Sequence, residues 1–183
     1  MINYIGDDEL VAEFQHNLKK ANQDFLIVLP PQTDERNLFE DIYSIIELKK
    51  FYSNLFDGLK ENVDKMMRKK NGAILFVFRP LIYSGNGRSY TPVKTQSMYS
   101  LMLSLSKELS AFGITVFGVI LGLQKEDSTH QQLIKEKKME VFSLKYKAIP
   151  LKEQVLMIET LMQNPEIFKG QLVSLGSPLT LKR

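Results

Sequence analysis

Two stretches of this chain are apolar without interruption, Phe25-Leu-Ile-Val-Leu29 and Ala73-Ile-Leu-Phe-Val-Phe78, and a third, Thr115-Val-Phe-Gly-Val-Ile-Leu121, is apolar after its first residue. None shows the in–out alternation of a strand with one wet face. Runs of this kind read as strands covered on both sides, the habit of parallel sheets. Between them lie segments with helical periodicity, one from about Leu38 to Met67 and one from about Pro92 to Phe112. The order strand, helix, buried strand predicts an α/β layered fold with a mostly parallel sheet.

The flanks extend this pattern. Ile2–Ile5 is a short β-prone start, and Leu10, Val11, Phe14 and Leu18 then mark one helical stripe. Pro30-Pro31 stops the first apolar run. Gly72 opens the second, and Gly58 is the weak point of the helix between them. Gly113 is placed to end the later helix in the left-handed conformation. Ser84–Ser89 reads as a loop, and 124–146 is polar and charged, with a short helix near Gln131–Glu140. After Pro150 a helix over Leu151–Gln163 buries Val155, Ile158, Leu161 and Met162, and Leu172–Leu175 is a last strand. No repeat or linker divides the chain, so residues 1–183 form one domain of a size that can bury a core.

Composition removes several function classes. A net charge of +3 with scattered basic residues gives no nucleic-acid surface. With no cysteine, disulfides and thiol catalysis are excluded, and the two histidines, His16 and His130, are too few for a zinc site. No run approaches the ~20 apolar residues of a membrane span, and the N-terminal residues lack the pattern of a signal peptide. The expectation is a soluble, cytoplasmic protein.

In the helix from Pro92, residues Met98, Tyr99, Leu101, Met102, Leu103 and Leu105 surround the axis rather than forming one stripe. A helix apolar on both sides must be covered on both sides. Met98, Tyr99, Met102 and Leu105 are therefore the expected oligomer interface.

The order of segments resembles the short-chain dehydrogenase/reductase family, of the 3-ketoacyl carrier-protein reductase type. Met66-Met-Arg-Lys-Lys-Asn-Gly-Ala-Ile-Leu is similar to that family's entry into its fifth strand. Leu103-Ser-Leu-Ser-Lys-Glu-Leu-Ser-Ala-Phe-Gly-Ile-Thr-Val resembles the helix after its catalytic tyrosine and the next strand, and Leu121-Gly122 stands where Pro-Gly is usual. Ile149-Pro-Leu-Lys-Glu-Gln-Val and Lys169-Gly-Gln-Leu-Val-Ser-Leu-Gly resemble the closing helix and strand. The resemblance implies a three-layer, Rossmann-like sheet of about five strands that lacks the first two family strands, with the start of the chain near the family's third. Ile2–Ile5 would then pair with Phe25–Leu29 through a right-handed crossover.

The same resemblance implies a degenerate site. The glycine-rich turn that receives a pyrophosphate is missing. Val28-Leu-Pro-Pro31 replaces Asn-Asn-Ala-Gly, the helix asparagine falls on or near Phe51, and the catalytic serine falls on Arg79. Tyr90-Thr-Pro-Val-Lys94 has the family's tyrosine–lysine spacing, while counting back from Lys107-Glu-Leu109 places that pair at Thr91 and Thr95. No cofactor is expected, with NADP entering only if Tyr90 and Lys94 are catalytic. The implied role is a non-catalytic subunit, self-associated or joined to a full-length reductase in fatty-acid or polyketide-type metabolism. The alternatives are an active oxidoreductase using Tyr90 and Lys94, and a small anion- or acyl-binding module using Arg79 and Arg88.

Overall fold

A computed structural model of the chain describes residues 1–6, 8–18, 23–30, 42–79, 91–126 and 148–176. The elements are β1 (Ile2–Ile5), α1 (Asp8–Asn17), β2 (Phe25–Val28), α2 (Ile42–Lys69), β3 (Gly72–Phe78) and α3 (Thr91–Glu108). A 3₁₀ turn over Leu109–Phe112 follows, then β4 (Ile114–Ile120), α4 (Leu151–Met162), a second 3₁₀ turn over Pro165–Phe168 and β5 (Leu172–Ser174). Gly113 follows the first 3₁₀ turn in the left-handed conformation, as the sequence predicts. The loop expected at Ser84–Ser89 and the helix expected near Gln131–Glu140 lie outside the described residues.

The five strands are all parallel and stand in sequence order, β1-β2-β3-β4-β5. The unbroken apolar runs are explained by burial on both faces. Ala73, Leu75 and Val77 of β3 enter one core while Ile74, Phe76 and Phe78 enter the other. β2 divides in the same way, with Phe25 and Ile27 against Leu26 and Val28. Alternation is present in direction but absent in chemistry, because a strand with two dry faces has no position for a polar side chain.

The helices sort by face. Leu10, Phe14 and Leu18 of the α1 segment share a core with Val155, Ile158 and Met162 of α4. Leu55, Leu59 and Met66 of α2 share the other with Met98 and Met102 of α3. The strands advance in one direction across the sheet, with α1 and α4 on one face and α2 and α3 on the other. The β1–β2 and β4–β5 connections therefore share one hand, and the β2–β3 and β3–β4 connections share the opposite one. The long α2 and α3 cover their face, and the short α1 finds its apolar partner in α4 instead.

Burial removes two of the four residues of the expected interface. Met98 and Met102 are 1% and 0% exposed and are used inside the chain, against the sheet. Tyr99 packs edge-on against Phe78, with ring centroids 6.4 Å apart. Leu101, Leu103 and Leu105 are half-buried around the same helix. The larger exposed apolar groups on this layer sit on α2: Ile45, Ile46 and Phe56 are 59%, 58% and 53% exposed.

Candidate active site

Parallel α/β sheets place ligands beyond the carboxyl ends of their strands, where the polypeptide turns into helices. In this chain those ends carry Gly6 after β1, Leu29 after β2, Arg79 after β3 and Gly122-Leu123-Gln124 after β4. The β4 end is fixed by one side chain. Gln154, in the first turns of α4, is 0% exposed. Its Oε1 accepts a hydrogen bond from Gly122 N at 2.7 Å, and its Nε2 donates to Ile149 O at 3.0 Å. Ile149 N in turn donates to Leu123 O at 2.9 Å. A Cβ on residue 122 would collide with the carbonyl oxygen of Leu175, so only glycine allows β4 and the residue after β5 to approach this closely.

Gln154 is a structural position at this end of the sheet that the sequence reading passes over. Helical spacing puts residues 154, 155, 158 and 162 on one face, and all four are buried. A glutamine on that inner face was the available signal, because an amide there must be hydrogen-bonded to justify its burial.

Between α1, Arg79, Gln124 and the start of α4 lies a cleft of about 600 Å³. Leu10, Arg79, Gln124 and Leu151 are buried or half-buried in it, while Ala12, Glu13 and His16 of α1 are exposed at its rim. Arg79, expected as an anion contact, is therefore placed in a cavity. Arg88 and Tyr90 lie outside the described residues. Lys94 does not line this cleft. It is 7% exposed, and its ammonium stands 5.5 Å from the centre of the Phe51 ring. The next turn adds a second tie between these helices, a hydrogen bond between the hydroxyls of Tyr52 and Ser97. Among the described residues no group of His, Asp and Glu side chains is arranged to hold a metal ion, and no helix is long and apolar enough to cross a membrane.

No family model and no curated protein matches the chain by sequence. Solved structures do match by shape. A short-chain oxidoreductase from Pseudomonas aeruginosa PAO1, described as containing an atypical catalytic centre, superposes with a TM-score of 0.65 at 14% identity, over 87% of this chain and 67% of its own. The fold is that of the short-chain oxidoreductases. An acetoin dehydrogenase from Salmonella typhimurium gives a TM-score of 0.67 at 13% identity, over 87% of this chain and 65% of its own. A Beutenbergia cavernae protein assigned, without proof of activity, as an NAD(P)-dependent gluconate 5-dehydrogenase gives 0.66 at 13%, over 82% and 64%. The chain thus spans about two thirds of the length of these short-chain oxidoreductases.

These matches correct the expectation of no cofactor. The Beutenbergia structure holds NADP, and the Pseudomonas enzyme is also known with NADPH bound. The short-chain oxidoreductase fold is thus one that carries a dinucleotide. In the doubly wound strand order the neighbour of strand 4 is strand 1, with the pyrophosphate at the turn that follows it. β1 occupies that place beside β2, although its sequence resembles the start of the third strand. The turn itself, Gly6-Asp-Asp-Glu9, has one glycine and three carboxyl residues. Gly6 is needed for another reason, since a Cβ there would meet Leu29 Cβ and O at 2.8 Å. The glycine-rich cradle for a pyrophosphate is not reproduced at this turn.

Proposed function

We propose that this chain is a short-chain-oxidoreductase-fold subunit that acts through association, with itself or with a full-length reductase, rather than by turnover of its own. The carrying observation is the exposure of Ile45, Ile46 and Phe56 on α2. The resemblance implies that the helices matching Leu38–Met67 and Pro92–Phe112 build a subunit interface, and α2 is the first of these. Ile45 and Phe56 lie on one side of that helix, and exposed apolar side chains aligned in this way mark interaction surfaces. Support for the non-catalytic part comes from Arg79, which stands where the resemblance puts a serine: a guanidinium, with donors and no acceptor, cannot replace a neutral hydroxyl that hydrogen-bonds both a carbonyl and the tyrosine. Fatty-acid or polyketide-type metabolism is the setting that the resemblance implies. Size-exclusion chromatography with light scattering is expected to give a discrete oligomer at micromolar concentration, or a complex with a co-purified reductase. A monodisperse monomer with no co-purifying reductase would sink the reading.

One observation favours a second reading, an NAD(P)-dependent oxidoreductase using Tyr90 and Lys94. The resemblance places the helix asparagine on or near Phe51 and offers Lys94 or Thr95 for the lysine. It is Lys94 whose charged end stands over Phe51. On this reading the purified chain oxidises NADPH with a short-chain ketone, and Tyr90→Phe lowers kcat by 100-fold or more through loss of the general acid. Equal rates in the two proteins would exclude Tyr90 from the chemistry.

A further inference from the structure

We propose that the cleft beneath α1 is a binding site for a small amphipathic monocarboxylate, with Arg79 as its anchor. A volume of about 600 Å³ is within the range of small-molecule sites. What recommends this cleft is the distribution of its groups by depth. The half-buried Arg79 follows directly from β3, a strand buried along its whole length, so the base of its side chain is held by the rigid centre of the sheet. A guanidinium presents paired N–H donors that match the two oxygens of a carboxylate, and partial burial strengthens that pairing over its value in water. Gln124, also half-buried, brings an amide from the end of β4. Leu10 and Leu151 supply an apolar wall from α1 and α4.

Glu13 and His16 stand exposed on α1 at the rim, and the Glu13 carboxylate accepts from Asn17 Nδ2 at 3.5 Å. A charge exposed to solvent acts weakly on a ligand held at the half-buried Arg79, so the apolar wall, not the rim, narrows the ligand class. The apolar wall asks for a short hydrocarbon body behind the charged end. Hexanoate has this chemistry. Hexanamide keeps the body and removes the charge, and inorganic phosphate keeps an anion and removes the body.

The test is titration of the 183-residue chain with these three probes, followed by calorimetry and by backbone amide shifts. Hexanoate is expected to bind saturably, with the largest shifts at Leu10, Arg79, Gln124 and Leu151. Hexanamide and phosphate are expected to bind at least tenfold more weakly, about 1.4 kcal/mol. Arg79→Gln is expected to weaken hexanoate tenfold or more. Arg79→Lys keeps the charge but loses the planar fork, and is expected to weaken it by a smaller factor. This second variant carries the test if Arg79→Gln fails to fold. Equal binding of hexanoate and hexanamide, tighter binding of phosphate, shifts elsewhere in the chain, or unchanged affinity in the folded Arg79 variants would each overturn the proposal. None of these readouts depends on the oligomeric state, so the result is separable from the association reading.

Discussion

Gln154→Leu is expected to lower the unfolding free energy of the chain by about 2–4 kcal/mol. The side chain is fully buried, and leucine is close to it in size, so the lost volume is small. What changes is the hydrogen bonding of two backbone groups. Gly122 N loses its acceptor and Ile149 O loses a donor. Leaving a buried polar group unsatisfied costs about 1–3 kcal/mol each, far more than the modest net gain from making such a bond. Water cannot easily replace the amide, because Gly122 is pressed against the Leu175 carbonyl and is itself buried. Urea unfolding followed by circular dichroism should show a lower midpoint with an unchanged slope. Gln163→Leu, on the exposed residue after α4, is the control and should move the midpoint by less than about 0.5 kcal/mol equivalent. If the two variants behave alike, Gln154 is not the lock that joins β4 to α4.

The layer architecture was legible in the sequence because it depends on chemistry that a single residue reveals. Three apolar runs without alternation can hardly be anything but strands between two dry faces, and all three are central strands here. The face of the sheet that α1 covers was not legible. Leu10, Phe14 and Leu18 define which side of α1 is apolar, but nothing in their spacing states which face of the sheet that side meets. The answer comes from α4, more than a hundred residues later, whose Val155, Ile158 and Met162 complete the same core. Long-range competition of this kind has no local signature.

The site was legible in part, for a related reason. Arg79 was found because the family resemblance lets the catalytic serine fall on it. The cleft around it was not found, because it is assembled from α1, two strand ends and α4. Met98 and Met102 were assigned to an interface because their helix is apolar all round. Such a pattern requires cover on both sides but does not say which residues meet the sheet, and these two do. The exposed surface instead carries Ile45, Ile46 and Phe56 of α2, which lie in a stretch that reads as an ordinary amphipathic helix.

Phe56→Asp is therefore the variant expected to act most strongly on assembly. Ile45, Tyr52, Phe56 and Val63 recur at intervals that keep them on one side of a helix with 3.6 residues per turn. Tyr52 and Val63 are half-buried within the chain, while Ile45 and Phe56 project beyond them. Covering a large apolar side chain is worth about 1.5–3 kcal/mol when burial is complete. Phe56 is already about half covered, so the gain per copy is smaller, roughly 1 kcal/mol. A two-fold interface uses the same residue twice, and replacement by aspartate also brings an unpaired carboxylate into the contact from each side. The sum predicts at least a 100-fold weaker association constant, about 2.7 kcal/mol. The isolated fold should be little affected, since an exposed substitution of this kind shifts stability by about 0.5 kcal/mol or less. Sedimentation velocity over a concentration series should show the wild-type oligomer giving way to monomer in the variant, with an unchanged circular dichroism spectrum. An oligomer that persists undiminished in Phe56→Asp would move the contact away from α2, to a surface such as Ile167 and Leu172 beside the edge strand β5.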